Sequence, residues 1–265
     1  MKCFFYGALI GLIALVSTAS AEKFSKTETK FFAISSHGKV VVENVNGSIK
    51  VEGWDKDRVS LEVTKTVRAD DSEDANRSFD RMRVEIESGP DFLKVRTHYN
   101  SDDDWDGFFS WLFHGFNSRG GSVSYVLKVP ASVKTAVHST NGDIEIDSVA
   151  GDVKAGSTNG RLILDGVSGL VDGSTTNGSI MAALTNAADF KGLTLRTTNG
   201  SIRVSCPADM SADVAAHTTN GSIQTDFPVT IQGGFMSKSL EGKINNGGPE
   251  IRLHTTNGSI HINKQ

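Results

Sequence analysis

Hydrophobic and polar residues alternate with a period of two along most of this chain, which is the spacing typical of β-strands. The alternation is clear from residue 39 to residue 63, is interrupted over 69–81, and returns from residue 84 onward. In the C-terminal half, a motif of the form Thr-Thr-Asn-Gly-Ser-Ile recurs between the alternating segments. The pattern predicts an all-β chain whose short strands meet at a recurring corner.

The corner motif repeats at the interval of a solenoid coil. Six close copies and one degenerate copy, Ser239–Ile244, carry glycines at 142, 160, 178, 200, 221, 242 and 258, which are 16 to 22 residues apart. Two residues after each of these glycines stands an Ile or a Leu, as expected for an inward-facing column. We therefore predict a right-handed parallel β-solenoid, similar to a β-helix, over residues 131–265.

The asparagine of the corner motif should form a ladder along the stack. Coils about 4.8 Å apart bring identical side chains into contact, and stacked amides can then hydrogen-bond to one another. The residues in this column are Asn141, Asn159, Asn177, Asn199, Asn220 and Asn257. The glycine that follows is expected to supply a positive φ for a tight turn. A structural role is favoured over a row of sugar or metal sites.

Residues 22–130 are predicted to form an N-terminal β region that continues into the solenoid. Residues 22–36 form an edge strand or a cap, and the segment 45–51 resembles a first, distant copy of the corner. One short helix is predicted over 69–81, where acidic residues precede apolar ones at helical spacing. The last full corner lies close to residue 265, so we expect that end to pack against the N-terminal sheet or another chain.

The first 21 residues have the pattern of a secretory signal peptide. Lys2 precedes an apolar run over 9–16, and small residues at 19–21 match a cleavage site. The protein is therefore expected in the periplasm, at the cell surface or outside the cell, with no transmembrane segment in the mature chain. The sequence favours no particular oligomeric state.

Charge and cysteine content narrow the possible functions. The formal net charge of −4 gives the protein no general attraction to nucleic acid. Cys206 is the one cysteine outside the signal segment, so an internal disulfide is excluded, and we interpret it as a core residue. No nucleotide-binding loop is present, and no cofactor is predicted.

Residues 100–121 form an insertion with the densest aromatic and acidic run of the chain. Its aromatic residues suit either of two roles, a cap over the open end of the solenoid or a docking site for a partner, a glycan or a membrane surface. These residues are Trp105, Phe108, Phe109, Trp111 and Phe113.

The acidic part of the insertion resembles the first half of a calcium loop. Asp102, Asp104 and Asp106 follow the D-x-D-x-D-G spacing, whose carboxylates provide the hard oxygen ligands that Ca²⁺ prefers. Phe113 stands at the twelfth position, where such a loop has a bidentate Glu. The match is therefore broken, and a calcium site is the weaker hypothesis.

Two further columns carry charged residues. Three residues before the corner asparagine or its equivalent stand Arg196, His217, Lys238 and His254, predicted to form a basic stripe on four adjacent coils. Such a stripe could hold an acidic polysaccharide or a lipid phosphate, although a solvated strand face is the more common explanation. Asp147 and Asp165 occupy equivalent positions on adjacent coils, as a polysaccharide-cleaving β-helix enzyme would require.

The segment 42–55, the repeated Thr-Asn-Gly-Ser-Ile and the run Cys206-Pro207-Ala208-Asp209 resemble a bacterial "putative adhesin" family, a domain of unknown function. The resemblance covers about residues 35–263. It implies a β-solenoid and a location in the cell envelope, and it brings no catalytic residues. The aromatic insertion departs from the family pattern.

Together these features predict an exported, noncatalytic β-solenoid protein, an adhesin or envelope scaffold that binds a cell-surface glycan or an envelope protein. The alternative is a polysaccharide-active β-helix enzyme.

The predicted columns can be tested by two neighbouring substitutions. Ile223→Asp places a charge in the inward column and is expected to destabilise the fold by several kcal/mol, on the order of the cost of burying an unpaired polar group. Ser222→Asp should have only a small effect. Urea denaturation of both variants measures the difference, and equal stability would contradict the assignment of inward and outward positions.

Overall fold

The computed structural model describes residues 22–99, 121–185, 188–231 and 238–265. The predicted signal peptide (1–21) and residues 100–120 of the insertion lie outside this described part. The described residues form two large, mostly parallel sheets and one helix, which confirms the predicted all-β class. Inward-facing side chains of both sheets pack into one hydrophobic core.

The described residues before the closely repeated corners form seven strands and one helix. In chain order these are β1 (Glu22–Ala33), β2 (Lys39–Asn46), β3 (Ile49–Trp54), β4 (Arg58–Ala69), α1 (Ser72–Arg81), β5 (Met82–Ser88), β6 (Phe92–Tyr99) and β7 (Ser122–Pro130).

From residue 134 onward, most coils add one strand to each sheet on either side of a corner. The strands are β8 (Lys134–Asn141), β9 (Ile144–Asp147), β10 (Val153–Asn159), β11 (Leu162–Val167), β12 (Leu170–Asn177), β13 (Ile180–Leu184), β14 (Gly192–Asn199), β15 (Ile202–Cys206), β16 (Ala212–Asn220) and β17 (Ile223–Thr225). They are followed by β18 (Val229–Ile231), β19 (Ser239–Ile244), β20 (Glu250–Asn257) and β21 (Ile260–Lys264).

The first sheet has the order β1-β4-β7-β3-β9-β11-β13-β15-β21-β17, and the second has β18-β19-β16-β20-β14-β12-β10-β8-β2-β6-β5. Because β2 pairs in parallel with β8 and β3 pairs in parallel with β9, strands of the predicted N-terminal region and of the predicted solenoid lie in the same two sheets. The boundary predicted at residue 131 stays a prediction.

At the N-terminal end of the stack the pairing becomes antiparallel. Strand β1 pairs only with β4 and forms the edge of the first sheet, as the sequence predicted for this segment, while β5 forms the edge of the second. The predicted helix is confirmed as α1. It begins at Ser72 because the side chain of Asp71 accepts hydrogen bonds from the backbone N–H groups of Glu73 and Asp74. Its Ala75 and Phe79 are buried.

The spatial order of the coils differs from the sequence order at the C-terminal end. Strand β20 lies between β14 and β16, and β21 lies between β15 and β17. The last coil is therefore inserted between two coils that precede it in the chain. The expectation that this end packs against the N-terminal sheet is wrong, and the alternative of packing against another chain stays a prediction.

The degenerate seventh corner is not a coil. Ser239–Ile244 forms β19, which pairs antiparallel with β16, so that Ser239 lies opposite His217 and Ile244 opposite Ala212. This segment lacks the asparagine of the motif and cannot extend the amide ladder. The coil around Asn257 carries the intact motif and hydrogen-bonds to corners on both sides, which explains why it occupies the interior position.

The corner asparagines form a continuous series of amide hydrogen bonds. From Asn141 onward, each Nδ2 donates at 2.8 Å to the Oδ1 of the asparagine before it in the stack, and Asn46 of the first coil accepts the first of these bonds. The order along the stack is Asn46, Asn141, Asn159, Asn177, Asn199, Asn257 and Asn220. These side chains are exposed, so each bond adds about 1 kcal/mol or less, but together they fix the register of the coils.

A second, buried ladder lies beside the first. The Ser or Thr two residues before each corner asparagine points inward, and its hydroxyl donates to the carbonyl oxygen of the corner glycine in the adjacent coil. Thr175 reaches Gly160 at 2.9 Å and Thr255 reaches Gly200 at 2.8 Å. Each hydroxyl thus provides a hydrogen bond to a partly buried backbone carbonyl.

The corner glycines are required for a different reason from the one predicted. Only Gly47 and Gly258 among them have a φ clearly outside the usual range, at 122° and 158°. At Gly142, Gly160, Gly178, Gly200, Gly221 and Gly258, an added Cβ would lie 2.0 to 2.1 Å from the carbonyl oxygen of the corner glycine in the next coil. Close approach of the backbones therefore excludes every larger residue.

This constraint predicts a strong effect of one methyl group. Gly178→Ala places the new Cβ against the carbonyl oxygen of Gly160 and is expected to destabilise the protein by about 3 kcal/mol. Gly156→Ala is the matched control, because its Cβ would meet exposed side chains instead of backbone, 3.0 Å from Nδ1 of His138 and 3.7 Å from Oγ of Ser174. Thermal denaturation of both variants tests the prediction, and equal melting temperatures would contradict it.

The insertion of the last coil predicts an unusual pattern of amide hydrogen exchange, which hydrogen–deuterium exchange would measure. Strand β21 is paired on both sides, so the amide of Ile260, which donates to the carbonyl of Ser222 at 2.9 Å, should exchange with solvent as slowly as amides of β15. The short edge strand β18 is the control and should exchange quickly. Rapid exchange throughout β21, as in a frayed terminal strand, would show that the insertion of this coil is wrong.

Candidate functional site

The predicted basic stripe lies on the outer face of the second sheet. Arg196 on β14, His254 on β20 and His217 on β16 are register neighbours in that spatial order. The imidazole rings of His217 and His254 stack with centroids 5.4 Å apart and planes 8° apart. Three of the four predicted residues therefore adjoin one another, although the order assumed from the sequence is wrong because the last coil is inserted.

Lys238, the fourth residue of that stripe, is placed differently. It immediately precedes the antiparallel strand β19, whose Ser239 lies opposite His217, so Lys238 does not continue the parallel column. Its backbone carbonyl accepts a hydrogen bond from the N–H of Thr218 at 2.9 Å. The stripe is consequently a group of three side chains with a lysine beside it.

Neighbouring carboxylates reduce the positive charge of this face. A guanidinium nitrogen of Arg196 lies 3.7 Å from an oxygen of Asp172, and Arg252 pairs with Glu250 at 2.6 Å. These ion pairs are about half exposed, and exposed pairs contribute little to stability. The face therefore has mixed charge and offers a weaker attraction to an acidic polymer than the isolated sequence column suggested.

A shallow hollow of about 300 Å³ lies farther along the same face. Its floor is formed by small residues, among them Gly156 and Ala136, and its walls by His138, Lys154 and Asp172. His138 is separated from the other two histidines by the coils of Gly156, Ser174 and Arg196, as the sequence predicted. In the described ranges, no three His, Cys, Asp or Glu side chains are grouped as a metal site.

Asp147 and Asp165 are adjacent on the outer face of the first sheet, on β9 and β11. Glu52 on β3 is the register partner of Asp147 on the other side, so three carboxylates stand in a row. The sequence analysis missed Glu52, although it lies six residues after Asn46, as Asp147 does after Asn141. Glu52 pairs with Lys128 at 3.5 Å, and Asp147 accepts a hydrogen bond from Ser148 at 2.6 Å.

Cys206 is completely buried at the end of β15. Burial raises the pKa of its thiol to about 12, because the thiolate would lose its hydration in the core. The thiolate is the nucleophilic form of cysteine, so this residue is unsuited to covalent catalysis. The interpretation of Cys206 as a core residue is confirmed.

The aromatic residues Trp105, Phe108, Phe109, Trp111 and Phe113 and the acidic residues Asp102, Asp104 and Asp106 lie outside the described residues. The strands on either side of the insertion are described, however. Strand β6 enters it from the second sheet, and β7 leaves it into the first sheet. The insertion therefore connects the two sheets near the N-terminal end of the stack.

A buried polar network links the two strands that flank the insertion. The hydroxyl of Thr97 on β6 lies 2.6 Å from that of Tyr125 on β7 and donates to Asn44 Oδ1 at 2.8 Å. Asn44 in turn donates to the backbone carbonyl of Val123 at 2.8 Å. Burial raises the pKa of Tyr125 to about 12, so this hydroxyl stays protonated and able to donate. The roots of the insertion are thus fixed to a rigid core.

A superposition with a TM-score above 0.5 supports the fold. A "putative cell adhesion protein" from Clostridium sporogenes ATCC 15579 superposes with a TM-score of 0.54 and 10% identity, over 91% of this chain and 100% of that chain. A "putative adhesin" from Bacteroides fragilis NCTC 9343 gives 0.38 and 11%, over 91% and 97%. A "putative lipid binding protein" from Parabacteroides distasonis ATCC 8503 gives 0.29 and 16%, over 90% and 96%.

Sequence comparison identifies the family. No curated protein is significantly similar to the chain. Across the described residues, no helix has the length and hydrophobicity needed to cross a membrane. The model of the Toastrack DUF4097 family matches residues 40–263, which include all the repeated corners and, apart from β1, nearly all residues of the strands in both sheets. On this match, the chain belongs to the Toastrack DUF4097 family.

Proposed function

We propose that this protein is an exported, noncatalytic, adhesin-like solenoid that binds a glycan or protein of the cell envelope through its aromatic insertion. The observation that carries this proposal is the position of the insertion, whose two roots belong to different sheets and are joined by the buried Asn44–Thr97–Tyr125 network. Binding residues are commonly found on loops that a rigid scaffold positions. Trp and Phe side chains exposed together are effective anchors for a partner.

The use of the repeated polar residues favours a noncatalytic role for the stack. A row of binding or catalytic sites would need free side-chain groups in each coil. The corner asparagines instead hydrogen-bond to one another, and the inward hydroxyls bond to glycine carbonyls. The repeated part of the chain therefore acts as a scaffold, and the nonrepeated insertion is the better candidate for recognition.

Export is supported by the sequence pattern of residues 1–21, which matches a signal peptide. The adhesion role suggested by the name of the structurally similar Clostridium protein agrees with a location at the cell surface. The periplasm and the extracellular medium are the other destinations consistent with export. We propose a right-handed winding of the coils, because parallel strands of one sheet are joined by right-handed crossovers in nearly all proteins.

A second candidate function is supported by the row Glu52, Asp147 and Asp165 on the outer face of the first sheet. Polysaccharide-cleaving enzymes need an acid and a base near the scissile bond, and carboxylates on adjacent strands could supply them. In that case, incubation with neutral and acidic polysaccharides would release reducing or unsaturated ends, and Asp147→Asn would abolish the release.

The proposed binding site can be tested without changing the length of the chain. Replacement of the five aromatic residues Trp105, Phe108, Phe109, Trp111 and Phe113 by Ser is expected to weaken binding to whole cells or envelope glycans at least tenfold, because truncating such anchors typically costs more than 1 kcal/mol each. Circular dichroism should show an unchanged fold. The triple variant Arg196→Ala, His217→Ala, His254→Ala is the control and should bind like the wild type.

Each outcome points to a different surface. Loss of binding only in the control variant would place the site on the basic group of the second sheet and contradict the proposal. A variant with Asp102, Asp104 and Asp106 replaced by Asn, assayed with and without Ca²⁺, shows whether a calcium site contributes. Absence of binding by the wild type to cells, glycans and vesicles would leave a scaffold role and overturn the adhesin proposal.

A further inference from the structure

Strand β4 breaks its own hydrophobic pattern at one position. Its inward-facing residues Val59, Leu61, Val63, Val67 and Ala69 are buried and apolar, but the inward position between Val63 and Val67 is occupied by Lys65. This lysine therefore points toward the space between the sheets. Burial lowers the pKa of Lys65 from its ordinary value, because the ammonium is partly removed from water.

The neighbouring strand β1 places two more lysines on the same side. Lys26, Glu28 and Lys30 share one face of β1 with the partly buried Phe24 and Phe32. Lys26 is the direct antiparallel partner of Lys65. Like charges directly opposite each other in a sheet are destabilising, so this pair is a feature that folding alone does not favour.

The opposite wall of this space is largely apolar. Helix α1 contributes Phe79, and β5 contributes Val84 and Ile86, which together with Val63 form the apolar surface of a crevice of about 310 Å³. We call this space the end crevice, since it lies between the edge strands β1 and β5 of the two sheets. Its volume is at the lower end of the range of small-molecule sites.

Within the described ranges, the charges of the end crevice leave one ammonium without a close partner. Lys30 pairs with Glu28 at 3.2 Å, and Lys26 donates to the amide oxygen of Asn76 at 2.9 Å while lying 4.6 Å from the centre of the Phe79 ring. Among the described residues, Lys65 forms no hydrogen bond or ion pair through its ammonium. With Asp80 also in the lining, three lysines face two carboxylates, and the crevice has an excess of positive charge.

Protection of a sheet edge does not account for this arrangement. Inward-pointing charges on an edge strand prevent association with other sheets, which could explain Lys26 and Lys30 on β1. Strand β4, however, is paired on both sides, with β1 and with β7. Lys65 therefore lies on an interior strand, where edge protection has no purpose.

We propose that the end crevice binds a single-chain amphiphilic anion, with its carboxylate between Lys26 and Lys65 and its hydrocarbon chain along Val63, Phe79, Val84 and Ile86. A bound carboxylate would relieve the repulsion between the two lysines and supply the partner that Lys65 lacks among the described residues. The apolar wall would bury the adjoining methylene groups. The residues named for this site all lie outside the aromatic insertion.

The test uses laurate below its micellar concentration as the probe. Calorimetric titration of the full chain should show one laurate bound per chain. Lys65→Met keeps the apolar bulk of the side chain and should weaken laurate binding at least tenfold. Lys23→Met is the matched control, because Lys23 is exposed and lies on the other face of β1. The affinity of this variant for laurate should differ less than twofold from that of the wild type. Dodecyltrimethylammonium, a cation of equal chain length, should not displace laurate.

Several results would overturn the proposal. These are a folded wild type that does not bind laurate, a Lys65→Met variant that binds as well as the wild type, and equal binding of the cationic amphiphile. Sedimentation with phosphatidylglycerol vesicles without laurate binding would assign the lysines to a membrane surface instead. Association of Lys65→Met into oligomers, with no laurate bound by the wild type, would assign them to preventing aggregation.

The melting temperature of Lys65→Met shows whether this variant is folded. Removal of one member of a like-charge pair from a partly buried position should leave the melting temperature of Lys65→Met at or above that of the wild type. If that variant does not fold, Lys26→Met addresses the same site from the more exposed strand. Laurate binding by a folded Lys26→Met protein at wild-type affinity would equally contradict the proposal.

Discussion

The structure depends on the close approach of backbones at its corners. Each corner glycine lies so near the carbonyl oxygen of its neighbour that a Cβ would be about 2 Å from that oxygen. Because the coils meet at this distance, the asparagine amides bond in one continuous series and the Ser and Thr hydroxyls reach the next coil. The inward Ile and Leu columns are then buried in one hydrophobic core. Spacing at the corner thus determines the register of both sheets.

Much of this arrangement could be predicted from the sequence because every coil uses the same few residue types. The period, the inward columns, the asparagine column and the helix after Asp71 all depend on local spacing. The order of the last coils could not be predicted, because the corner around Asn257 fits against any other intact corner. Only the missing asparagine in Ser239–Ile244 indicated that this segment would pair differently.

The candidate sites show the same division between local and long-range information. Asp147 and Asp165 were correctly paired since their coils are consecutive, whereas the order of Arg196, His217 and His254 depended on the inserted coil. Lys65 stands visibly among alternating apolar residues. A role for Lys65 could not be inferred from the sequence, because it depends on how β1 pairs with β4. Only the pairing of Lys65 with Lys26 shows that two like charges meet inside the same crevice.

The inserted coil has a consequence for how the chain acquires its structure. Strands β20 and β21 occupy the space between two coils that are synthesised before them. The final neighbour of β16 is β20, so β16 cannot form this pairing before β20 has been synthesised. If β16 paired with β14 in the meantime, that pairing would have to break again, because β20 lies between them in the folded protein. The coils up to β15 can assemble in the order of synthesis, but the segment after them must stay undocked or rearrange. Correct folding of this end therefore requires the whole segment to be present at once, and it favours assembly after synthesis over assembly during it.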